Sequence, residues 1–232
     1  MVEHYVIIVI GKQVPMLKEN MSKFTLQKPL KEWKINQEFG KNFNTFYTEM
    51  GMKGHNGIDF YALDSTEVYA THDGRVTFTG YDGAGGLGVV IRTTEKFDYY
   101  NTDTGKLEPS YFKTIYWHLK KDTIKVTGGQ TVKAGDLIAL ADNTGRSTGA
   151  HLHFGLKPIQ KGENAWTWYN LEPSNGYSGA IDPMPYFEIQ PKEDITVKFK
   201  DLQTLLNKYG AKLVVDGVWG QKSTEALNNF LK

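Results

Sequence analysis

The chain has 232 residues, enough for one domain with a substantial core and a small appendage. Its formal net charge of +1 argues against a binding mode dominated by nucleic acid or by an acidic membrane. It contains no cysteine, which excludes disulfides, thiol catalysis and cysteine-ligated zinc, so any metal must be held by His, Asp or Glu.

The N-terminal segment, residues 1–30, combines one short apolar run with a polar stretch. The run at residues 6–10 is too short to cross a membrane, follows Glu3 and His4 instead of a basic region, and precedes no small-residue cleavage site. It therefore predicts a β-strand and not a signal peptide. The pattern assigns no role to this segment, and an appended strand and a pro-segment are the two options.

From residue 31 to 188 the pattern predicts one mainly β domain, with short alternating runs between glycine-rich turns. The predicted strands cover residues 58–61, 67–71, 75–81, 88–92, 114–119 and 150–155, with a turn and strand over 132–140. The dipeptide Asp73-Gly74 is a strong hairpin signal between two of these runs. Residues 96–113 and 157–181 are polar or aromatic and are predicted to be long loops.

After a linker at 189–197 the periodicity becomes helical. Residues 198–208 and 223–231 each carry an apolar stripe, which predicts two helices in a small module over residues 198–232. No run in the chain is long and apolar enough to predict a transmembrane span.

Two histidines stand on one face of a predicted strand. In extended backbone, successive side chains point to opposite faces, so His151 and His153 share one face while Leu152 and Phe154 share the other. Such a pair has two interpretations: surface histidines on a half-buried strand, or a metal or catalytic site on a rigid support.

The positions of the other histidines bear on this choice. His55 lies four residues before Asp59, but Gly54 and Gly57 disfavour a helix there, so a loop running into a strand is predicted. His118 lies at the end of the predicted strand 114–119, where alternation places it on the face opposite Trp117.

Catalytic zinc takes three protein ligands and leaves one position open. His55, Asp59 and one of His151 and His153 meet that count, and the remaining histidines can act on a water molecule or on a developing oxyanion. His4 and His72 lie in plain strand or turn contexts and are predicted to be structural.

Three blocks of the sequence, residues 55–59, 117–119 and 145–154, resemble in order the signature blocks of the lysostaphin/LytM-type zinc endopeptidases. The resemblance implies that His55, Asp59 and His153 bind one catalytic zinc ion and that His118 and His151 are catalytic histidines outside the ligand set. It also implies a mainly antiparallel β domain of the duplicated hybrid motif type, with a metal-bearing groove, and peptide bonds of bacterial peptidoglycan as substrates.

The tail carries a second resemblance. Residues 202–207, 215–220 and 224–227 resemble a peptidoglycan-binding helical module that lacks its last part. The alternative is a helical hairpin that binds no ligand.

The expected protein is therefore a monomeric zinc endopeptidase that acts outside the cytoplasm on stem peptides or cross-bridges of the bacterial cell wall. It is expected to be either a phage-type lysin or a protein exported by other means. One rival is a catalytically inactive wall-binding or activating protein on the same fold, which would be expected to have lost ligands that are present here. A second rival, a biotinyl- or lipoyl-carrier domain suggested by residues 129–136, lacks the modifiable lysine at a suitable turn.

Overall fold

The computed structural model describes residues 24–42, 45–163, 167–188 and 195–230. The chain divides into two compact units, the first ending at Glu188. The predicted strand at residues 6–10 and His4 lie outside the described residues.

The first unit is mainly β, as predicted. Its strands are β1 (Ile35–Gln37), β2 (Ile58–Tyr61), β3 (Glu67–Tyr69), β4 (Gly74–Asp82), β5 (Gly86–Arg92), β6 (Phe97–Asn101), β7 (Lys106–Trp117), β8 (Thr131–Val132), β9 (Leu137–Leu140), β10 (His151–Lys161) and β11 (Trp168–Asn170). One short helix, α1 (Phe46–Glu49), precedes β2, and 3₁₀ turns occupy Gly83–Gly85 and Met184–Tyr186.

Nine strands form one antiparallel sheet with the order β1-β2-β10-β7-β5-β4-β8, while β11 pairs with β10 and β6 pairs with β7. The strands β3 and β9 form a separate two-stranded sheet. This order places the two long strands β10 and β7 side by side, with β2 on the other edge of β10. The three histidine-bearing blocks of the sequence therefore meet in the middle of the sheet.

One face of the large sheet packs on the hydrophobic core. Along β10 the side chains of Leu152, Phe154 and Leu156 are buried there, as the alternation predicts. Phe154 contacts Tyr116 of β7 with ring centroids 5.3 Å apart. Burial of large apolar side chains on this face fixes the register of β10, because a slip by one residue would move them to the other face.

Residues 24–30 also belong to this core, although the sequence pattern places them in the N-terminal segment. Phe24, Leu26 and Leu30 are buried. Leu26 N–H donates to the carbonyl of Tyr186 at 2.7 Å, and the ring of Phe24 stacks on Phe112 at 4.4 Å. The main unit therefore includes part of the segment that precedes residue 31.

The predicted hairpin at Asp73-Gly74 is wrong, because β3 pairs with β9 and β4 pairs with β5. The Asp73 carboxylate accepts hydrogen bonds from the Ala134 N–H at 2.9 Å and the Lys133 ammonium at 2.7 Å. The turn thus anchors a distant loop, and the two flanking strands enter different sheets.

The predicted loops at 96–113 and 157–181 are also wrong in part. β6 and the first half of β7 form a hairpin, and β10 continues to Lys161 and pairs with β11. Glu172 holds the first hairpin in place, since one of its carboxylate oxygens accepts hydrogen bonds from Tyr99 Oη at 2.6 Å, Thr102 N at 2.8 Å and Thr102 Oγ1 at 2.9 Å. Polar side chains here make specific buried contacts that composition alone does not reveal.

The second unit contains the two predicted helices, α2 (Ile195–Lys208) and α3 (Gln221–Phe230). The buried side chain of Gln203 organises the loop between them: its amide donates to Asp216 Oδ1 and to the Val218 carbonyl, each at 2.9 Å. Peptidoglycan binding by this unit stays a prediction. Within the described part of the chain, no helix is long and apolar enough to cross a membrane.

Candidate active site

An open cleft of about 940 Å³ lies on the face of the large sheet opposite the core. Its floor includes Ile115 and Trp117 of β7, and its lining also includes Asp59, His118, His151 and His153. The structure brings all five residues that the sequence singled out to this region, since His55 contacts Asp59 and His153 directly.

Three side-chain atoms converge at one end of the cleft. His55 Nε2 lies 2.9 Å from His153 Nδ1 and 3.1 Å from Asp59 Oδ1, and His153 Nδ1 lies 3.1 Å from the same carboxylate oxygen. Asp59 and His153 are directly opposite each other on β2 and β10. Antiparallel pairing therefore sets two corners of this triangle, and the loop before β2 supplies the third.

Local hydrogen bonds orient the first histidine. The backbone of His55 pairs with the loop after β1, because its N–H donates to the Lys41 carbonyl at 3.0 Å and its carbonyl accepts from Gly40 N–H at 2.8 Å. The ring Nδ1 lies 3.2 Å from the Glu38 carbonyl, which selects the tautomer with the proton on Nδ1. The lone pair on Nε2 then points at the triangle.

The electrostatic environment of this triangle favours the binding of a cation. Burial opposes ionisation of Asp59, but the adjacent His153 and His55 side chains outweigh it and hold the pKa of the carboxyl well below its usual range. Burial lowers the pKa of His153, with the Asp59 carboxylate acting in the other direction. A divalent metal requires an ionised carboxylate and imidazole nitrogens that carry no proton toward it, and the pKa shifts of Asp59 and His153 act in that direction.

The donor set fits a metal ion. The ligand atoms of His55, Asp59 and His153 all lie within 4.8 Å of one another and offer two imidazole nitrogens and one carboxylate oxygen. Tetrahedral zinc with bonds of roughly 2.0–2.1 Å would separate its ligand atoms by about 3.3 Å, close to the separations of 2.9 and 3.1 Å found here. A shift of a few tenths of an ångström accommodates the ion.

The His118 side chain lies on the cleft side of the sheet, which strand alternation does not predict. Its backbone has φ of 62°, the left-handed region, at the end of β7. This conformation turns the imidazole to the cleft side, where Trp117 also lies, so the expectation that the two face opposite ways is wrong. Its N–H donates to the Gly85 carbonyl at 3.0 Å, and ring Nδ1 lies 2.7 Å from the Thr144 carbonyl. Surrounding hydrogen bonds thus hold a strained residue.

His151 lies between His118 and the triangle. Its ring Nδ1 is 2.8 Å from the Gly149 carbonyl and its Nε2 is 3.7 Å from Asp59 Oδ1, while its ring centroid is 4.5 Å from that of His118. Burial lowers the pKa of His118 to about 4, so this imidazole is neutral near pH 7. Both side chains bind a carbonyl through Nδ1 and present Nε2 as a proton acceptor.

Several cleft residues carried no sequence signal. Tyr47 of α1 lies beside the triangle, with its ring 5.4 Å from that of His55, and burial followed by the Asp59 charge raises its pKa. Lys113 and Lys157 line the other part of the cleft. No motif marks them, because they are distant in sequence and only strand pairing brings them together.

Comparisons with known proteins agree with this geometry. Residues 53–165 match the model of peptidase family M23. An uncharacterized metalloprotease of Haemophilus influenzae is 39% identical over 103 residues, which cover 44% of this chain and 18% of that protein. The peptidoglycan DD-endopeptidase ShyB of Vibrio cholerae is 42% identical over 100 residues, which cover 43% of this chain and 20% of that protein.

Among solved structures, the catalytic domain of lysostaphin from Staphylococcus simulans aligns with a TM-score of 0.46 and 25% identity, covering 66% of this chain and 91% of that one. The present chain spans about a fifth of the length of the two curated relatives above.

Proposed function

The chain carries a peptidase family M23 domain, and from this premise we propose that it is a zinc-dependent endopeptidase that hydrolyses peptide bonds in bacterial peptidoglycan. The observation that carries the proposal is the triangle of His55, Asp59 and His153 at the end of an open cleft, with His118 and His151 beside it.

We assign His55, Asp59 and His153 as the metal ligands. A zinc ion held there would act as a Lewis acid on the scissile carbonyl and lower the pKa of water toward neutrality. The side chains of the triangle are largely buried, with Tyr47 packed against His55, and these surroundings of low polarity strengthen each electrostatic interaction in the site.

His118 and His151 are proposed to move protons. In each, Nδ1 donates to a backbone carbonyl, so Nε2 is the position that accepts the proton removed from the attacking water. The protonated imidazole can then donate to the oxyanion or return the proton to the leaving amine. The two rings are adjacent, so one can act as the base while the other serves as a donor, and the assignment between them stays open.

The substrate class rests on the relatives. The Vibrio cholerae protein is named a peptidoglycan DD-endopeptidase, and peptide bonds of the cell wall are the substrates that we propose here. The cleft is open enough to admit an extended peptide, and its walls supply both apolar and charged groups. We therefore place its action at the bacterial cell wall.

The test uses the purified full chain, its metal content by mass spectrometry, and purified peptidoglycans of different cross-bridge types. We expect one zinc ion per chain, release of new amino termini from the wall material, and loss of this activity on chelation with recovery on zinc addition. Product masses identify the bond that is cut. Wall binding without any release of amino termini would overturn the proposal and favour a non-catalytic wall-binding protein.

A further inference from the structure

Two lysines lie on the cleft floor beyond the proposed metal ligands. Lys157 is on β10, four residues after His153, and Lys113 is its direct neighbour on β7. Residues on one face of a strand alternate, so Lys157 lies on the same face as His153, roughly 13 Å along the strand. Both lysines line the cleft.

The floor between the metal ligands and the lysines is open. Gly155 and Ile115 are paired at this point, and the glycine adds no side chain of its own above β10, so the nearest side chain is that of Ile115, 3.4 Å from where a Gly155 Cβ would lie. An extended peptide lying along β10 from His153 would therefore pass over Gly155 and arrive at the two ammonium groups.

Neither lysine has a carboxylate partner. Among the described residues, no Asp or Glu oxygen lies within 4.0 Å of Lys113 or Lys157, and the one hydrogen bond of Lys157 is to the Ser178 carbonyl at 2.7 Å. The exposed Asp82 also lines the cleft and raises the pKa of Lys157, but it forms no ion pair with it.

The environment of the pair is unfavourable without an anion. Burial, followed by the charge of Lys113, lowers the pKa of Lys157 to about 8. Burial also lowers the pKa of Lys113. Two adjacent, partly desolvated like charges are costly unless a negative group compensates them.

The neighbouring cation Arg92 has surroundings that differ from those of the two lysines. Arg92 of β5 is paired with Lys113 on the other side, but its guanidinium stacks over the ring of Trp168 at 4.0 Å and is not part of the cleft lining. An aromatic face therefore compensates that charge, whereas the two lysines face the open cleft.

We propose that Lys113 and Lys157 together bind a carboxylate of the peptide substrate, about four extended residues away from the scissile bond. The proposal rests on the proposed endopeptidase function and adds a specificity site to it. The carboxylate can come from the end of the peptide or from a side chain within it, and charge-assisted hydrogen bonds from the two ammonium groups would fix the register of the peptide along β10.

The experiment uses a synthetic peptidoglycan stem peptide with an internal and a terminal carboxylate, and two versions in which one or the other is amidated. Dissociation constants are measured by calorimetry on the metal-stripped full chain, so that hydrolysis does not intervene, after circular dichroism has established that it is folded. The variants are Lys113→Met, Lys157→Met and Lys157→Arg. Lys161→Met is the matched control, because Lys161 lies four residues further along the same strand, exposed and outside the cleft.

We expect each methionine variant to weaken binding of the free peptide roughly 10-fold, since a hydrogen bond to a charged group is lost. Binding of one of the two amidated peptides should be equally weak in wild type and variants, which identifies the carboxylate that is recognised. Lys157→Arg should retain most of the affinity and Lys161→Met all of it. In the zinc-loaded chain the methionine variants should raise KM and leave kcat unchanged.

Equal affinity of the wild type for all three peptides, or methionine variants that bind like the wild type, would overturn the carboxylate site. A wild type that hydrolyses wall peptides without discriminating among the three would overturn it and leave the endopeptidase standing. A wild type that discriminates among them but hydrolyses nothing would support the carboxylate site and count against the endopeptidase.

Discussion

Gly57 packs directly against the imidazole of His153. A Cβ added at Gly57 would lie 2.7 Å from His153 Cε1 and 2.6 Å from the Phe154 carbonyl oxygen, both closer than van der Waals contact permits. Gly57 immediately precedes β2, the strand that carries Asp59, so its lack of a side chain permits the close approach of two of the proposed ligands.

Gly57→Ala should therefore impair metal binding. The new methyl group must push the His153 ring out of the triangle or separate β2 from β10, and displacement of a ligand by its support typically weakens metal affinity about 10- to 100-fold. Zinc affinity measured by competition with a chromophoric chelator tests this. Gly155→Ala is the matched control, because its Cβ would meet nothing closer than 3.4 Å. Equal zinc affinity in the two variants would refute the packing argument.

His153→Ala and His118→Ala should fail in different ways. The first removes a proposed ligand, so the purified chain should contain little zinc. The second leaves the triangle intact, so zinc should remain stoichiometric while kcat falls by about 10²- to 10⁴-fold, the usual contribution of a proton-transferring side chain. Metal content and turnover on wall material are measured on the same preparations. A His118→Ala chain with normal turnover would contradict the assigned role.

His72 should make the fold sensitive to acid. It is buried, with Nδ1 2.8 Å from the Asp73 carbonyl and Nε2 3.0 Å from Thr114 Oγ1, and burial lowers its pKa to about 4. The unfolded chain, with a histidine pKa near 6.5, binds more protons between these values, so the free energy of unfolding should fall as the pH drops from about 6.5 to 4. The loss attributable to this group is about 3 kcal/mol.

Urea titrations of the wild type and His72→Asn at pH values across this window measure the effect. The variant should be less stable near pH 7, because its smaller side chain fills the site poorly, but the difference between the two proteins should shrink as the pH falls. A constant difference across the window would show that protonation of His72 does not contribute.

Glu172→Gln should loosen the β6–β7 hairpin without affecting catalysis. The amide oxygen accepts the bonds from Tyr99 and Thr102 more weakly than the carboxylate does, which should lower the free energy of unfolding by about 1–3 kcal/mol. Hydrogen exchange should accelerate at residues 97–106. Glu95→Gln, at an exposed position, is the control. Because residues 97–106 do not line the cleft, kcat/KM should not change. A changed kcat/KM would contradict a purely structural role for Glu172.

Local sequence patterns were sufficient to predict part of this structure. Alternation along β10 predicted that Leu152 and Phe154 enter the core and that His151 and His153 face away from it, because burial of one strand face leaves a single register. The glycines at 54 and 57 correctly argued for a loop before β2. The helical periodicity after residue 191 likewise predicted α2 and α3, since amphipathic spacing is a local property.

Pairing between distant strands could not be predicted in this way. Asp73-Gly74 has the chemistry of a hairpin turn, yet β3 pairs with β9, and the Asp73 carboxylate binds residues 133 and 134, which lie about sixty residues further along the chain. The composition of residues 96–113 predicts a loop instead of the β6–β7 hairpin, because the buried carboxylate that holds the hairpin, Glu172, lies 70 to 73 residues beyond the groups it binds, Thr102 and Tyr99.

The candidate site, like the fold, was predictable from the sequence only in part. By itself the sequence determined which residue types were available: with no cysteine, histidines and carboxylates must hold any metal, and the blocks around His55, His118 and His153 supplied them. The tertiary structure alone decided how they meet. The β2–β10 register sets Asp59 against His153, and a positive φ at His118 reverses the face that alternation predicts. Strand pairing also aligns Lys113 with Lys157. Side-chain chemistry is encoded residue by residue, whereas distances of about 3 Å between distant residues depend on the packing of the whole sheet.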